Sequence, residues 1–171
     1  SFTHPHDPYV ARRKYWDLYE DCAALEPEVG FIPFEEQDPH SRRLYVASDY
    51  PAYEITPEMV RRSRRGYFAN ISYLDDKIGE ILQVLEDTRQ DAIIVFCSDH
   101  GDMLGERGLW FKMSFFERSV RVPLILAGAG VGHGVVANPV SHVDLLPTLV
   151  DIARANVPPA PLPGDGNSLW E

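Results

Sequence analysis

The sequence predicts a layered α/β fold, and three observations carry that prediction. A long amphipathic helical pattern begins at Thr56, two short and nearly unbroken apolar runs follow within 93–96 and 121–128, and a second helical pattern begins near Ser141. Helix, strand, loop, strand, helix is an order in which helices cover the faces of a sheet. Ile93, Ile94, Val95 and Phe96 are apolar without alternation. Such a run marks a strand buried on both faces, as in a parallel sheet.

The elements follow in chain order. Residues 1–56 include Pro5, Pro8, Pro27, Pro33, Pro39 and Pro51 and read as mostly irregular. A short helix is expected near Arg12 to Tyr19, where charge alternates with Tyr15, Trp16 and Leu18. Thr56-Pro57-Glu58 then opens the main helix: a hydroxyl to cap free amides, a proline for the first turn, and an acid at the positive end of the dipole. Tyr67, Ile71, Leu74, Ile78, Ile81 and Leu85 recur at steps of three and four, which predicts one apolar stripe to about Glu86. Asp75, Asp76 and Glu80 fall on the outer or flanking face as solvated acids. Arg61-Arg62-Ser63-Arg64-Arg65 reads as the solvated face of the helix start.

"DAIIVFCSD" supplies the first strand and "RVPLILAG", residues 121–128, the second. "SHVDLLPTLVDIAR" predicts a helix with Leu145, Leu149 and Ile152 on one side. Pro147 suits its first turn, so Val143 or Asp144 is the expected cap. "PPAPLPGDGNSL" is a proline- and glycine-rich exit. The chain thus divides into an irregular segment 1–56, an α/β core 57–155 and an exit segment 156–171.

Composition sets outer limits. With 171 residues, 44% hydrophobic and 25% charged, the chain suits one soluble domain with a real core. A net charge of -10 argues against nonspecific nucleic-acid binding. No apolar run approaches a membrane span. Cys22 and Cys97 form no CxxC pair and read as free thiols of a reducing compartment. The absence of an initiator methionine and the abrupt ending at Glu171 suggest an excised segment of a longer protein, an incomplete fragment of its fold.

The stretch "FCSDHGDMLGERGLWFKMSFFE" carries the chemistry. Its apolar strand stops at Asp99-His100-Gly101, and a glycine-rich loop leads to Lys112. Ligands gather beyond the carboxyl ends of strands in open α/β sheets. A carboxylate and an imidazole there are good ligands for a divalent cation. Mixed oxygen and nitrogen ligation accommodates Mn or Zn, whereas calcium prefers oxygen alone. Two ligands do not hold a metal tightly, so others must come from elsewhere. A lysine beside a metal suits an oxyanion such as sulfate or phosphate. The same pattern also fits a hydrogen-bonded turn with a surface lysine. In "FTHPHDPY", His4 or His6 could donate a hydrogen bond to an anionic oxygen or a leaving group, or be an exposed loop histidine. His40, His133 and His142 read as structural. No GxSxG elbow and no P-loop is present, so a complete hydrolase is not assembled by these residues alone.

"SDHGDMLGERGLWFKMSFFE" with "RVPLILAG" resembles the sulfatase branch of the alkaline phosphatase superfamily. "PHDPY", "HSRRLY" and "YFANISYLDDKIGEIL" make it most similar to the choline sulfatases, and "VDLLPTLVDIA" and "DGNSL" agree. The resemblance covers nearly the whole chain. It implies an alkaline phosphatase-like α/β sandwich, of which this is the later part of the catalytic domain. It also implies one divalent metal ion, Ca2+ or Mn2+, with Asp99 and His100 as the later pair of ligands and an early pair of aspartates absent here. Lys112 matches the lysine at the sulfate and leaving oxygen. His6 matches the histidine at the sulfate, with His4 the competing assignment. The family nucleophile is a formylglycine made from a Cys/Ser-x-Pro-x-Arg motif, which this chain lacks. The implied substrate is a small-molecule sulfate ester, choline-O-sulfate. A phosphonate monoester or phosphodiester is the alternative, and a non-catalytic binding module the alternative of another class. A cytoplasmic location is the expectation, and a homo-oligomer is left open. Arg118 departs from the family, which generally has a small residue there. It could disturb the approach to the next strand or point to solvent. Trp110, Phe111 and Glu106 are candidates for holding a quaternary ammonium, with packing the competing role for the aromatics.

Overall fold

The computed structural model describes residues 1–153 and 164–170, and the chain divides into two compact units, Ser1–Val131 and Gly132–Glu171. The backbone of the first unit is the helix α3 (Pro57–Asp87), which starts where the sequence says it should: the Thr56 hydroxyl accepts from the Met59 N–H at 3.3 Å, with Pro57 in the first turn. The segment before it folds back across it as far as Asp76. The helix α1 (Arg13–Trp16) and the 3-10 turns Asp17–Tyr19 and Ala23–Leu25 pack on α3. Tyr15 is buried and donates to Asp76 at 2.8 Å, and the Tyr19 and Ser72 hydroxyls lie 2.7 Å apart.

One glycine makes this crossing possible. A Cβ on Gly66 would stand 2.1 Å from the Tyr9 carbonyl oxygen, so only glycine lets the two backbones meet there. The buried face of α3 is therefore Arg64, Gly66, Ala69 and Asn70, while Ile71 and Ile81 of the predicted stripe are exposed. The solvated reading of the arginine run also fails at its centre. Arg64 is buried, and Arg65 donates to the Trp16 carbonyl at 2.9 Å with its guanidinium over the Trp16 ring. Charge alone does not place an arginine in water; its stem packs and its fork bonds carbonyls.

The region expected to be mostly irregular holds a further helix, α2 (Pro39–Ala47). Its start copies that of α3. The Asp38 carboxylate accepts from the His40 and Ser41 N–H groups at 3.0 Å each, with Pro39 next in line.

The strands β1 (Ile93–Cys97) and β2 (Leu124–Gly128) pair antiparallel, with Ile93 opposite Gly128 and Cys97 opposite Leu124. This corrects the parallel reading. An unbroken apolar run reports covered faces but not strand direction, and here the chain reverses through the loop and the short helix α4 (Glu117–Val120) before pairing back. The β1 residues Ile93 to Phe96 are half-buried and Cys97 is exposed. The core of this unit, Tyr50, Met103 and Leu109 with Tyr45, Trp110, Phe111 and Phe116 around it, forms where the loop after β1 packs on α2 and the turn Tyr50–Ala52, and not in the sheet.

In the second unit a 3-10 turn, His142–Asp144, runs into α5 (Leu145–Ala153). Its cap is Ser141, in a reciprocal capping box with Asp144, and not Val143 or Asp144. Asp144 also accepts from Asn167 N–H at 2.9 Å. The Asn167 and Ser141 amides hold its carboxyl below the usual range. Thr148, buried, takes the inward place expected for Leu149, which is exposed. Arg154, expected to end this helix, and much of the proline-rich exit lie outside the described residues. Among the described residues no helix is long and apolar enough to cross a membrane.

A candidate active-site cleft

His4, His6, Asp99, His100, Lys112 and Arg118 all line one cleft of the first unit, of about 1100 Å³. They arrive from three directions. The first two come from the N-terminal segment, Asp99 and His100 from the end of β1, and Lys112 and Arg118 from beyond the loop.

At the end of β1 the chain is tied into a tight turn. The Ser98 hydroxyl donates to the His100 carbonyl at 2.9 Å, and the His100 N–H donates to Asp99 Oδ1 at 3.0 Å. The Gly101 N–H donates to the Ser119 carbonyl at 2.7 Å. A Cβ on Gly101 would lie 2.0 Å from the Arg118 carbonyl oxygen, so glycine alone lets α4 close against this turn. His100 Nδ1 stands 2.9 Å from the Gly101 carbonyl, which only accepts, so that nitrogen carries the proton and Nε2 keeps its lone pair. Nε2 lies 3.4 Å from Asp99 Oδ2. Two donors at about 2.4 Å from one cation, at right angles, stand about 3.4 Å apart. The pair therefore fits two adjacent positions around a divalent ion. Partial desolvation pushes the Asp99 carboxyl up, but hydrogen bonds from the His100 amide and the Ser98 hydroxyl act against it, and the acid is held below its usual range. It is thus anionic, as a ligand must be. Among the described residues no cluster of three or more such side chains forms.

Lys112 meets His6. Its ammonium lies 2.9 Å from His6 Nε2, a contact across 106 positions of sequence. His6 Nδ1 donates to the Asp7 carbonyl at 2.9 Å, so Nε2 is the acceptor and Lys112 the donor. His4 goes elsewhere, with its ring centroid 4.9 Å from that of Tyr73. Of the two histidines left open by the sequence, His6 is the one brought to Lys112.

The loop that joins these groups is built by residues the sequence reading did not single out. Asp102 Oδ1 accepts from Leu104 N–H at 2.9 Å and Phe111 N–H at 3.1 Å, and its Oδ2 accepts from the Tyr9 hydroxyl at 2.7 Å. One carboxylate so ties the loop to itself and to the segment carrying His6. Burial and then the Asp102 charge raise the Tyr9 phenol, and the same two causes push Tyr67 up to about 12. The Ser119 hydroxyl donates to the Lys112 carbonyl. An acid directly after a strand-end glycine is a signal for such an Asx-type turn.

Glu106 is not available for a ligand. Its two oxygens accept from the Glu28 and Val29 N–H groups at 3.0 and 2.8 Å, and Arg64 Nη1 stands 3.4 Å from Oε1. Arg64 also donates to the Leu104 and Ala24 carbonyls. Burial lowers the Arg64 pKa, with Glu106 opposing that shift. Trp110 and Phe111 pack around the core. Arg118 neither disturbs the strand nor stands free: it donates to Glu28 Oε2 at 2.6 Å on the wall of the cleft.

Comparisons with known proteins identify the family. The family model described as Sulfatase matches residues 1–155. The chain is 61% identical over 171 residues to a choline-sulfatase of Rhizobium meliloti, covering 99% of this chain and 33% of that protein. It is 42% identical over 102 residues to an arylsulfatase K of Danio rerio, covering 58% of this chain and 20% of the relative. Among solved structures, a phosphonate monoester hydrolase from Silicibacter pomeroyi superposes with a TM-score of 0.81 at 30% identity, over 96% of this chain and 34% of that one. The chain thus spans a third or less of the length of these curated relatives.

Proposed function

The chain belongs to the sulfatase family, and from that premise we propose that it forms one wall of the active site of a metal-dependent sulfuric ester hydrolase acting on choline-O-sulfate. The observation that carries the chemistry is the Lys112–His6 contact in a cleft that also holds Asp99 and His100. The 61% identity to a choline-sulfatase supports the substrate.

In this reading Asp99 and His100 supply two ligands of a Ca2+ or Mn2+ ion, and the remaining ligands and a formylglycine nucleophile lie outside these 171 residues. The metal, when bound, withdraws charge from sulfate oxygens. Lys112 has three N–H donors. One is engaged by His6 Nε2 at 2.9 Å, which aims the ammonium and leaves the others for a sulfate or leaving-group oxygen. His6 holds a lone pair at Nε2 next to that ammonium. As the ester oxygen departs it takes a proton from Lys112; the neutral amine left behind regains one from solvent, and His6 Nε2, which only accepts, keeps it aimed.

Sulfate release from choline-O-sulfate by the full-length protein tests the reading. The expected result is turnover that is lost on chelation and restored by Mn2+ or Ca2+. The likeness to a phosphonate monoester hydrolase favours one second reading, hydrolysis of a phosphonate monoester or phosphodiester on the same scaffold. A preference for such a substrate by orders of magnitude would overturn the sulfatase reading. The 171-residue chain alone is expected to show no turnover, and turnover by it would remove the need for an outside nucleophile.

A further inference from the structure

We propose that Asp7 is a positioning residue for His6, fixing its tautomer and ring plane so that Nε2 faces Lys112. This deepens the proposed function and rests on it for its activity readout.

Two oxygens of Asp7 meet one nitrogen. His6 Nδ1 lies 2.9 Å from the Asp7 carbonyl oxygen and 3.0 Å from its carboxylate Oδ1. Both oxygens only accept, so the proton on Nδ1 is fixed there and is shared between them. The turn is set from the other side as well, by the His6 N–H donating to the Thr3 carbonyl at 3.1 Å. With Nδ1 occupied, Nε2 presents its lone pair to the Lys112 ammonium at 2.9 Å. Without Asp7 Oδ1 a half-exposed ring, 42% accessible, is held on its Nδ1 side by one carbonyl alone and is freer to rotate or to move its proton to Nε2. A proton on Nε2 would face the ammonium donor to donor and break the pair. Asp7 is 39% accessible and belongs to no regular element, so its carboxylate is not needed to hold the fold. His4 shows the contrast: two residues earlier in the same proline-flanked segment, it is placed by ring contact with Tyr73 and not by a carboxylate.

The test is a double-mutant cycle in the full-length protein with choline-O-sulfate, together with the ring nitrogen spectrum of 15N-histidine-labelled protein. Asp7→Ala is expected to lower kcat by about 10- to 100-fold with KM and melting temperature unchanged. Asp7→Asn, whose amide oxygen still accepts from Nδ1–H, is expected to recover part of the loss. In a His6→Ala background Asp7→Ala is expected to add nothing, because Asp7 acts only through His6. Additive losses, or a native kcat in Asp7→Ala, overturn the proposal. The spectrum decides independently of activity. The native His6 is expected as the Nδ1–H tautomer, becoming a mixture in Asp7→Ala; an Nε2–H tautomer in the native protein, or no change in the variant, overturns it. Native protein inactive on choline-O-sulfate would instead defeat the substrate reading and leave the spectrum to judge Asp7.

Discussion

Between Asp99 and Lys112 the chain changes character twice. At the two ends are groups open to the cleft: the Asp99 side chain is 82% accessible, and Lys112 reaches His6 across it. In the middle, Met103, Leu104, Glu106 and Leu109 are among the most deeply buried residues of the chain. One loop therefore does two jobs in different places. Its middle is a plug whose buried polar groups are matched by Arg64, Asp102 and backbone amides, and its ends are held by that plug, by the close contact of Gly101 with α4 and by the Lys112–His6 bond. Chemistry and stability are separated along the sequence, and substitutions should separate them too.

The sharpest attempt to break this division is at the plug. Glu106→Ala leaves Arg64 buried without its carboxylate and the Glu28 and Val29 amides without acceptors. Removing one partner of a buried pair is expected to destabilise by about 3–5 kcal/mol, read by urea unfolding. Glu106→Gln, which keeps one acceptor, should lose less. A loss below about 1 kcal/mol, that of a single ordinary hydrogen bond, would mean the plug is held by Asp102 and Tyr50 instead. The opposite signature is expected at the end of the loop. Lys112→Ala should lower kcat by about 100- to 1000-fold and leave the unfolding midpoint where it was, since the Lys112 carbonyl, which Ser114 and Ser119 bond, survives the substitution. A fall in stability as large as that of Glu106→Ala would erase the distinction between the two regions.

The same division explains what the sequence made legible. The Thr56-Pro57 start, both strands and the five candidate residues of the cleft were readable, because caps, apolar runs and chemically distinctive side chains are local signals. Asp38-Pro39 carried the same signal as Thr56-Pro57 but sat among prolines and turn formers that masked it. The plug was not readable. Arg64 lies in a run of arginines that looks solvated, Glu106 in a loop that looks exposed, and both are inside because of partners 42 residues apart. The antiparallel pairing of β1 and β2 was hidden for a related reason, since apolar runs record burial and not direction. Lys112 and His6 are 106 positions apart. No periodicity connects them, and only the closure of the fold brings His6, and not His4, to Lys112.

Smaller effects sharpen the boundary between the regions. Asp99→Asn keeps the shape of an exposed side chain but removes its charge, so metal content measured on the purified full-length protein should fall by about tenfold or more with activity falling in parallel. Unchanged metal occupancy would remove Asp99 from the ligand set. Tyr9→Phe deletes the bond that joins the His6 segment to Asp102. It should destabilise by about 1 kcal/mol and lower kcat only slightly, because the Asp7 and Lys112 contacts to His6 remain. A rate loss as large as that of Lys112→Ala would show that the tie through Asp102, more than the local turn at Asp7, aims the histidine.

The least effect is expected at Tyr67, and it is visible only at high pH. Burial, then the Asp102 charge, pushes its phenol from 10.0 up to about 12. In the unfolded chain the phenol ionises near 10.0, whereas in the folded chain it stays neutral until about 12. Between these values the unfolded state binds fewer protons than the folded one, so stability falls as pH rises. The contribution of Tyr67 is fully present below its unfolded value and is lost as pH climbs to the folded one. Tyr67→Phe removes this titration, so its unfolding free energy should decline less steeply than the native protein's from about pH 10 upward, the difference being small because the ring is only half-buried and water screens the Asp102 charge. Tyr9, raised by the same carboxylate, keeps part of the decline in place in the variant. Parallel curves for the native protein and Tyr67→Phe would mean that neither burial nor the Asp102 charge holds this phenol neutral in the folded chain.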